Sequence, residues 1–382
     1  MTIGILGGGQ LGYMLALAGY PLGLHFRFLD PSPEAPVGRI AHRVTADYTD
    51  VQALQRFAQG LEVATYEFEN VPVEAARLLA EKTAVYPPVN ALEEAQDRLR
   101  EKTLFKKLGI PTTEFAALQR AEEFDAAVKQ IGLPAILKTR RMGYDGKGQW
   151  LLRTKEDAER MRRELPNVPL ILEKLVPFRR EVSMLGVRSR TGETAFYPVV
   201  ENHHREGILR LSVAPAPKLT SQLQNAAEES TRKVLETLGY VGVLCIEFFE
   251  VDGQLLANEM APRVHNSGHW TIEGAVTSQF ENHLRAILGM PLGATCAIGH
   301  SVMINLIGEI PEEAPVLAVA NTHLHLYGKE PRPGRKVGHV TVRADSAEKL
   351  QQRLSELPEF FRRPEYCLEA VLGETVGLRT SL

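Results

Sequence analysis

The chain has 382 residues, of which 44% are hydrophobic and 24% are charged. A single domain usually has about 100 to 200 residues, so we expect two or three domains with sizeable cores. A net charge of -3 without a long run of Lys or Arg argues against a nucleic acid or an anionic membrane as the main partner. No apolar stretch approaches the roughly 20 residues that cross a bilayer, so we expect no membrane-spanning segment.

The cysteines and the first residues indicate a compartment. Cys245, Cys296 and Cys367 lie far apart and form no C-x-x-C pair, which predicts neither a disulfide framework nor a zinc site. The apolar residues 2–6 lack a basic flank and lead into a glycine-rich turn, unlike a signal peptide. We therefore expect a protein of the reducing cytoplasm.

The first 90 residues alternate predicted strands and helices. A strand over residues 2–6 is followed by a glycine-rich turn, a helix over residues 10–18 and a second strand that ends at Asp30. This alternation predicts a doubly wound parallel sheet. The proline-rich segment 86–90 ends the region, so we expect a domain boundary near residue 90.

The glycine-rich turn carries a motif with three interpretations. Gly7, Gly9 and Gly12 match G-x-G-x-x-G between a strand and a helix, and Asp30 follows about 20 residues on, as in dinucleotide-binding folds. Backbone amides at such a turn could bind a dinucleotide or another phosphorylated ligand, or the glycines could serve tight packing. Nothing downstream predicts a hydride-transfer site, which disfavours a dehydrogenase.

The central region contains a candidate nucleotide-binding loop. Residues 91–111 show helical spacing before a Gly-Ile-Pro stop. An apolar strand then ends at Lys138, and two arginines and the glycine-rich loop 143–149 follow. Glycines let backbone amides approach a polyphosphate and let the loop close over it, while the cations supply charge-assisted bonds. A solvated hairpin turn with basic neighbours is the alternative.

Two acidic side chains in apolar strands predict a metal site. Glu247 and Glu259 lie on either side of an Asp-Gly turn, and an unpaired carboxylate in such strands would be unfavourable. A two-residue turn would pair Glu247 with Asn258, whereas a three-residue loop would pair it with Glu259. If the carboxylates converge, they suit Mg²⁺ shared with nucleotide phosphates. A buried salt bridge to an arginine is the alternative.

A dense group of polar residues follows the second strand of this hairpin. Within seven positions it contains Arg263, His265, Asn266, Ser267 and His269. Core packing alone does not account for such a density, and these side chains together could bind a small anion or a substrate beside the metal.

The last region is expected to begin near residue 295. Residues 301–310 and 323–330 have the composition of strands, and a small helix is predicted in the tail. No internal repeat or low-complexity tract is present.

Four segments together resemble the N5-carboxyaminoimidazole ribonucleotide synthetase family of ATP-grasp carboxylases: LGGGQLGYML, RRMGYDGKGQW, YVGVLCIEFFE with NEMAPRVHNSGHWT, and KEPRPGRKVGHV. The resemblance covers essentially the whole chain. It implies a Rossmann-like pre-ATP-grasp domain at 1–90, an ATP-grasp domain at 91–295 with a nucleotide-clamping subdomain at about 110–176, and a small β-rich domain at 296–382. This is an α/β and α+β architecture.

The same resemblance implies which residues bind ATP and Mg²⁺. The implied Mg²⁺ ligands are Glu247 and Glu259. The implied nucleotide-binding residues are Arg98, Lys138, Gly143, Tyr144, Asp145, Gly146, Lys147, Gly148, Gln149, Glu173, Lys174, Leu175, Val176, Glu181, His204, Asn258 and Glu259.

The resemblance also implies the second substrate, aminoimidazole ribonucleotide, and bicarbonate as the carbon source. Carboxyphosphate would be the intermediate, Asp145 would orient or deprotonate the amine, and a homodimer is expected. Glu67 or Glu69 would reach the ribose. The implied substrate-binding residues are Gln10, Asn266, Ser267, Lys329, Arg335 and Lys336, and the implied catalytic residues are Tyr144, Asp145, Arg263 and His265.

Three other functions stay open on the sequence. Another ATP-grasp ligase, one that uses formate or biotin, would share the nucleotide site but not the acceptor pocket. An NAD-dependent dehydrogenase depends on the first 30 residues alone, and a noncatalytic nucleotide-binding module would bind Mg·ATP without turnover.

Overall fold

The computed structural model describes residues 1–143 and 147–372. Its first unit is a parallel five-stranded sheet of order β3-β2-β1-β4-β5, as the alternating pattern predicted. Strand β4 is buried along its whole length, which is typical of a parallel sheet covered on both faces. The elements are β1 (Thr2–Leu6), α1 (Gln10–Gly19), β2 (His25–Asp30), β3 (His42–Thr45), α2 (Val51–Ala58), β4 (Val63–Tyr66), α3 (Val73–Ala80) and β5 (Ala84–Val85).

The helical segment predicted over residues 91–111 is in fact two helices, α4 (Val89–Ala95) and α5 (Arg98–Lys107). The interruption falls at Asp97, whose carboxylate accepts a hydrogen bond from the N–H of Leu99 at 3.0 Å. An aspartate in this position caps the first turn of a helix and favours a new start over a continuous helix.

The second unit is an antiparallel four-stranded sheet of order β6-β9-β7-β8 with its own apolar core. Two helices pack on it. Its elements are β6 (Phe115–Leu118), α6 (Phe124–Ile131), β7 (Ala135–Thr139), β8 (Gln149–Leu152), α7 (Lys155–Arg163) and β9 (Leu170–Lys174).

The third unit is a nine-stranded sheet in which β15-β14-β10-β12-β13-β16-β18-β17 are consecutive neighbours and β11 pairs with β10. It continues across residue 295, where the sequence predicted a boundary; that boundary and the one near residue 90 stay predictions. The elements are β10 (Arg180–Arg188), β11 (Thr194–Phe196), β12 (Val200–Arg205), β13 (Ile208–Ala214), α8 (Ser221–Thr237), β14 (Gly242–Val251), β15 (Gln254–Ala261), α9 (Thr271–Gly274), α10 (Gln279–Leu288), β16 (His300–Ile307), α11 (Glu313–Leu317), β17 (Thr322–Leu326), β18 (Lys336–Ala344), α12 (Ala347–Glu356) and α13 (Glu369–Leu372).

Strand β18 was not predicted from the sequence, although it lies between β16 and β17 and is almost entirely buried. It begins with Lys336 and contains Gly338 and His339, residues that weaken a strand pattern. Across the described ranges, every helix is too short or too polar to span a bilayer.

A buried histidine connects the first sheet to the third. The N–H of Val243 donates to Nδ1 of His283 at 3.1 Å, and Nε2 of His283 lies 3.0 Å from Oγ1 of Thr65. Because a backbone N–H can only donate, Nδ1 must accept, so the neutral ring carries its proton on Nε2 and donates it to Thr65. Burial lowers the pKa of His283 to about 3.

His283 is expected to make the stability of the protein pH-dependent. An unfolded histidine binds a proton below about pH 6.5, whereas folded His283 does so only near its lowered pKa, so stability falls as pH falls through this window. The contribution is about 1.4 kcal/mol per pH unit. We predict that His283→Asn reduces the pH dependence of the unfolding free energy by about this slope between pH 6.5 and 4.5, measured by urea denaturation. An unchanged slope would contradict the prediction, and the exposed His25→Asn is the matched control.

Candidate active site

A cavity of about 540 Å³ lies where the three units meet. It is lined by residues from α1, α5 and β7 and mainly, in the large sheet, from the end that includes its edge strand β15. Fifteen of the residues that the sequence singled out line it, namely Gln10, Glu69, Arg98, Lys138, Gly143, Gln149, Glu181, His204, Glu247, Asn258, Glu259, Arg263, His265, Asn266 and Lys336.

Other predicted residues lie outside this lining. Ser267 lies beneath His265, Glu173 is buried behind Lys138, and Lys329 contacts Gln10. Tyr144, Asp145 and Gly146 lie outside the described residues, so their predicted roles stay predictions. Within the described ranges, the remaining predicted site residues that do not line the cavity are Glu67, Lys147, Gly148, Lys174, Leu175, Val176, His269 and Arg335.

The β14–β15 hairpin brings Glu247 and Glu259 side by side. Its turn is the two-residue Asp252–Gly253 type, with both φ angles positive at 48° and 75°. The register shifts at a β-bulge beyond Phe248, so Asn258 is an extra residue and Glu247 pairs with Glu259. The turn therefore has two residues and not three, and the bulge, rather than a longer loop, pairs Glu247 with Glu259.

Contacts from the segment before β6 and from helix α5 support the bulged strand. The Lys102 ammonium donates to the carbonyl of Asn258 at 3.0 Å, and the Glu101 carboxylate accepts from the N–H of Met260 at 2.6 Å. The Thr112 hydroxyl donates to the carbonyl of Ala257 at 2.7 Å. These bonds satisfy main-chain groups of β15 around the bulge, so the register depends on tertiary contacts as well as on the turn.

The two carboxylates have opposite electrostatic environments. Burial raises the pKa of Glu247, and the neighbouring Glu259 carboxylate raises it further. Although burial opposes the shift, the Arg98 guanidinium, 2.7 Å from Glu259, holds the pKa of Glu259 well below its usual range. A divalent cation between the two side chains would relieve their repulsion.

The residues present fit a magnesium ion. Asn258 adds an amide oxygen, Oδ1, that is buried and has no hydrogen-bond partner among the described residues. Carboxylate and amide oxygens are the hard ligands that Mg²⁺ prefers. Within 1–143 and 147–372, no three His, Cys, Asp or Glu residues form a complete metal site, so such an ion would need further oxygens from its surroundings.

A buried ion cluster lies next to the carboxylate pair. Lys138 and Lys102 lie 2.9 Å and 3.5 Å from the same oxygen of Glu173. Although burial opposes the shift, the two ammonium groups lower the pKa of Glu173. Lys138 also lines the cavity, so the cluster places the positively charged ammonium group of Lys138 at the cavity wall.

A second cation comes from His204. Its Nδ1 contacts the Glu181 carboxylate on the neighbouring strand β10. Although burial opposes the shift, Glu181 raises the pKa of His204 to about 9. The imidazole is therefore protonated at neutral pH, which suits a polyanionic ligand.

The N-terminal glycine turn is filled by the protein's own acidic side chains. The N–H groups of Gly9 and Gly12 donate to the Glu67 carboxylate at 2.7 and 3.0 Å, and the N–H of Gly8 donates to Asp30 at 2.7 Å. These amides are the groups that would bind a phosphate in a dinucleotide fold. The turn therefore serves internal packing, and the dinucleotide interpretation loses its basis.

The neighbours of the turn reach the cavity from this side. Gln10 accepts a hydrogen bond from the Lys329 ammonium, and burial lowers the pKa of Lys329 to about 8. Glu69 forms an ion pair with Arg263. Of the two acids expected near a ribose, Glu69 thus lines the cavity, while Glu67 lies within the glycine turn.

His265 presents a defined N–H group. Its Nδ1 accepts from the N–H of Ser267 at 3.3 Å and lies 2.9 Å from the Ser267 hydroxyl. Burial, assisted by nearby Arg263, lowers the pKa of His265 to about 3. The neutral ring therefore carries its proton on Nε2, which lies 3.4 Å from Glu247 and beside the cavity.

Three side chains near this site were not identified from the sequence. Asp97 binds Arg140 through two hydrogen bonds of 2.9 and 2.6 Å, while Glu101 and Lys102 support the bulged strand. Glu101 and Lys102 lie in the charged segment RLREKTLFKK, whose composition is that of an exposed helix. Their burial is visible only once β15 packs on α5.

Family models match three parts of the chain. They are the ribonucleotide synthetase preATP-grasp domain over residues 1–96, the ATP-grasp domain over 103–280, and the phosphoribosylaminoimidazole carboxylase C-terminal domain over 301–353. Together with the cavity between the units, these matches define an ATP-grasp ligase.

Curated and solved proteins make the assignment more specific. The N5-carboxyaminoimidazole ribonucleotide synthase of Pseudomonas aeruginosa is 54% identical over 94% of this chain and 98% of its own length. The synthetase structure from Thermus thermophilus has a TM-score of 0.90 at 60% identity, covering 93% of this chain and 97% of that one. The chain belongs to the N5-carboxyaminoimidazole ribonucleotide synthase family.

A further structure of this family is a ligand complex. The Aspergillus clavatus N5-carboxyaminoimidazole synthase, in complex with ADP and 5-aminoimidazole ribonucleotide, has a TM-score of 0.85 at 30% identity. It covers 98% of this chain and 99% of that one.

The Glu173 cluster gives a stability prediction. Glu173→Gln leaves two buried ammonium groups without their counter-ion and is expected to lower the unfolding free energy by about 3–5 kcal/mol. Lys102→Met should have a smaller effect, because Lys138 still pairs with Glu173. The double variant should be more stable than Glu173→Gln alone, since one of the unpaired cations is gone. Strictly additive losses in urea denaturation would contradict this.

Proposed function

We propose that this ligase uses ATP to carboxylate aminoimidazole ribonucleotide with bicarbonate, giving N5-carboxyaminoimidazole ribonucleotide, ADP and phosphate. One observation carries the proposal: a single cavity joins the Glu247–Glu259 pair to the group Arg263, His265 and Asn266. The two glutamates can hold a metal–nucleotide complex. The group around Arg263 can hold a small oxyanion and the substrate that accepts its carboxyl group.

The nucleotide is assigned to the cationic side of the cavity. Arg98, Lys138 and protonated His204 line the cavity and would bind its phosphates. The family resemblance assigns the adenosine to Glu173, Lys174, Leu175 and Val176, which lie outside the cavity lining, so the adenosine would extend beyond the cavity on this side. Glu247 and Glu259 would hold Mg²⁺, with Asn258 beside them. When bound, magnesium neutralises charge on the phosphate oxygens. The loop residues Gly143, Lys147, Gly148 and Gln149 would cover the phosphates.

The reaction begins with activation of bicarbonate, which is a poor electrophile. An oxygen of bicarbonate attacks the γ-phosphorus of ATP, so ADP leaves and carboxyphosphate forms. The exocyclic amine of the ribonucleotide then bonds to the carboxyl carbon, directly or through CO₂, and phosphate leaves. Arg263 and the Nε2–H of His265 would stabilise the anionic oxygens during both steps.

The ribonucleotide is assigned to the opposite side of the cavity. Lys329, Arg335 and Lys336 would grip its 5′-phosphate, Gln10 and Glu69 would approach the ribose, and Asn266 would lie at the reacting end, with Ser267 behind His265. Tyr144 and Asp145 would orient the amine, and Asp145 would accept its proton. Closure of their loop would exclude water from carboxyphosphate.

We also propose a cytoplasmic homodimer as the working form. The dimer follows from the family resemblance, and the cytoplasmic location follows from the predicted reducing compartment and the small-molecule substrates. Sedimentation of the purified chain at micromolar concentration would test the dimer.

Acceptor-dependent ADP formation tests the function. We expect ADP release to require aminoimidazole ribonucleotide and bicarbonate together, and formate or biotin not to replace bicarbonate. Asp145→Asn should lower kcat by about 10²–10⁴-fold and leave ATP affinity near that of the wild type, because the lost group handles a proton and not the nucleotide. The exposed Asp345→Asn is the matched control.

The outcomes that contradict the proposal are specific. ADP release that formate or biotin supports would indicate another ATP-grasp ligase, and ATP binding without turnover would indicate a nucleotide-binding module. Near-normal turnover by Asp145→Asn would reject that residue's role alone.

A further inference from the structure

A buried hydrogen-bond network lies directly behind the cavity residue Asn266. The side-chain amides of Asn266 and Asn305 form two reciprocal bonds of 3.0 and 2.8 Å. The Asn266 nitrogen lies 3.1 Å from Nδ1 of His269, and the Tyr327 hydroxyl lies 3.3 Å from the same atom. Asn305, His269 and Tyr327 are all at most 2% exposed, so water does not compete for these bonds. We call these four residues the Asn266 network.

A backbone carbonyl fixes the direction of every bond between the amides. The carbonyl of Leu209 lies 2.9 Å from Nδ2 of Asn305, and a carbonyl can only accept, so this atom is the donating nitrogen. The other N–H of Asn305 then donates to Oδ1 of Asn266, and Oδ1 of Asn305 accepts from Nδ2 of Asn266. Rotating either amide by 180° would place like atoms together.

The Asn266 amide in turn fixes the tautomer of His269. The second N–H of Asn266 points at Nδ1 of His269, so this nitrogen must accept and the ring carries its proton on Nε2. Burial lowers the pKa of His269 well below its usual range, which keeps the ring neutral. The side chains of Asn266, Asn305 and His269 therefore have one consistent arrangement of hydrogens, whereas the Tyr327 hydroxyl lies near Nδ1 of both His269 and His339.

The consequence for Asn266 is that it can only accept from a ligand. Both of its N–H groups are used inside the network, and its Oδ1 has a second lone pair beyond the bond from Asn305. Asn266 lines the cavity together with Arg263 and His265, which offer N–H groups. This wall therefore presents donors for anionic oxygens and one acceptor for a donor group.

We propose that His269 and Asn305 are positioning residues that orient the Asn266 amide so that its oxygen accepts a hydrogen bond from a substrate. This oxygen would select a substrate that carries an O–H or N–H donor. Under the proposed function, on which this inference rests, the donor is the hydroxyl of bicarbonate or the exocyclic amine of the ribonucleotide. If bicarbonate is the donor, formate, which has no O–H when ionised, would leave the Asn266 oxygen unpaired.

A pair of variants at one position tests the orientation. His269→Leu removes the acceptor and frees the Asn266 amide, whereas His269→Asn keeps an oxygen near the former Nδ1 position. We expect His269→Leu to raise KM for bicarbonate or for the ribonucleotide about tenfold, with KM for ATP unchanged, and His269→Asn to restore most of the loss. Which of the two KM values rises identifies the donor.

Stability loss needs its own control. Leu354→Ala, in the fully buried core beside β18, should lower the melting temperature without a selective change in either KM. If His269→Leu raises KM for ATP equally, or changes no KM, the positioning role is overturned. Asn305→Leu removes the second partner and should reproduce the selective effect.

A measurement on the wild-type protein separates this inference from the proposed function. In ¹⁵N-histidine-labelled protein, ring-nitrogen shifts, assigned by comparison with His269→Asn, should show His269 protonated on Nε2 and bare on Nδ1. A ring protonated on Nδ1 would overturn the inference whatever the enzyme's substrates are. Failure of acceptor-dependent ADP formation would instead overturn the proposed function and leave this result intact.

Discussion

The site depends on one local irregularity, the bulge at Asn258 in the β14–β15 hairpin. With a regular ladder after the two-residue turn, Glu247 would face Asn258 and the two carboxylates would not be paired. The bulge aligns Glu247 with Glu259 and leaves the Asn258 amide oxygen without a partner among the described residues. Helix α5 holds the strand in this register through Glu101 and Lys102. An interaction between neighbouring elements therefore sets the geometry on which metal and nucleotide binding would depend.

Buried polar groups then decide what the cavity offers to a ligand. The main chain of Ser267 makes His265 a donor at Nε2, and the carbonyl of Leu209 makes Asn266 an acceptor. Neither property is visible in the residue type alone, since imidazole and amide groups can act in both ways. Because these networks are buried behind the cavity wall, loss of one partner would lower the stability of the protein. The intact networks fix the positions of the donor and acceptor groups before a substrate binds.

Local patterns predicted the parallel sheet and the polar groups around Glu247, Glu259 and Arg263, whereas the ATP-grasp class and lining residues such as Arg98, Glu181 and His204 came from the family resemblance. Alternating apolar strands, the Asp-Gly turn and the polar group from Arg263 to His269 are readable without a structure. The parts that sequence did not predict depend on distant contacts: the break at Asp97, strand β18, the bulge, and Glu67 within the glycine turn. The glycine motif is complete in that turn, yet the N–H of Gly12 donates to a carboxylate 55 residues further along the chain. A glycine motif therefore predicts the backbone conformation of a turn but not the group that its amides bind.

The most direct test is the position of the metal. Crystals grown with Mn²⁺ and a nonhydrolysable ATP analogue can be measured at the manganese absorption edge. We predict an anomalous peak within about 2.5 Å of carboxylate oxygens of both Glu247 and Glu259, with Arg98 moved from Glu259 to the phosphates. A nucleotide bound with its metal away from one or both carboxylates, and Arg98 still paired with Glu259, would contradict it.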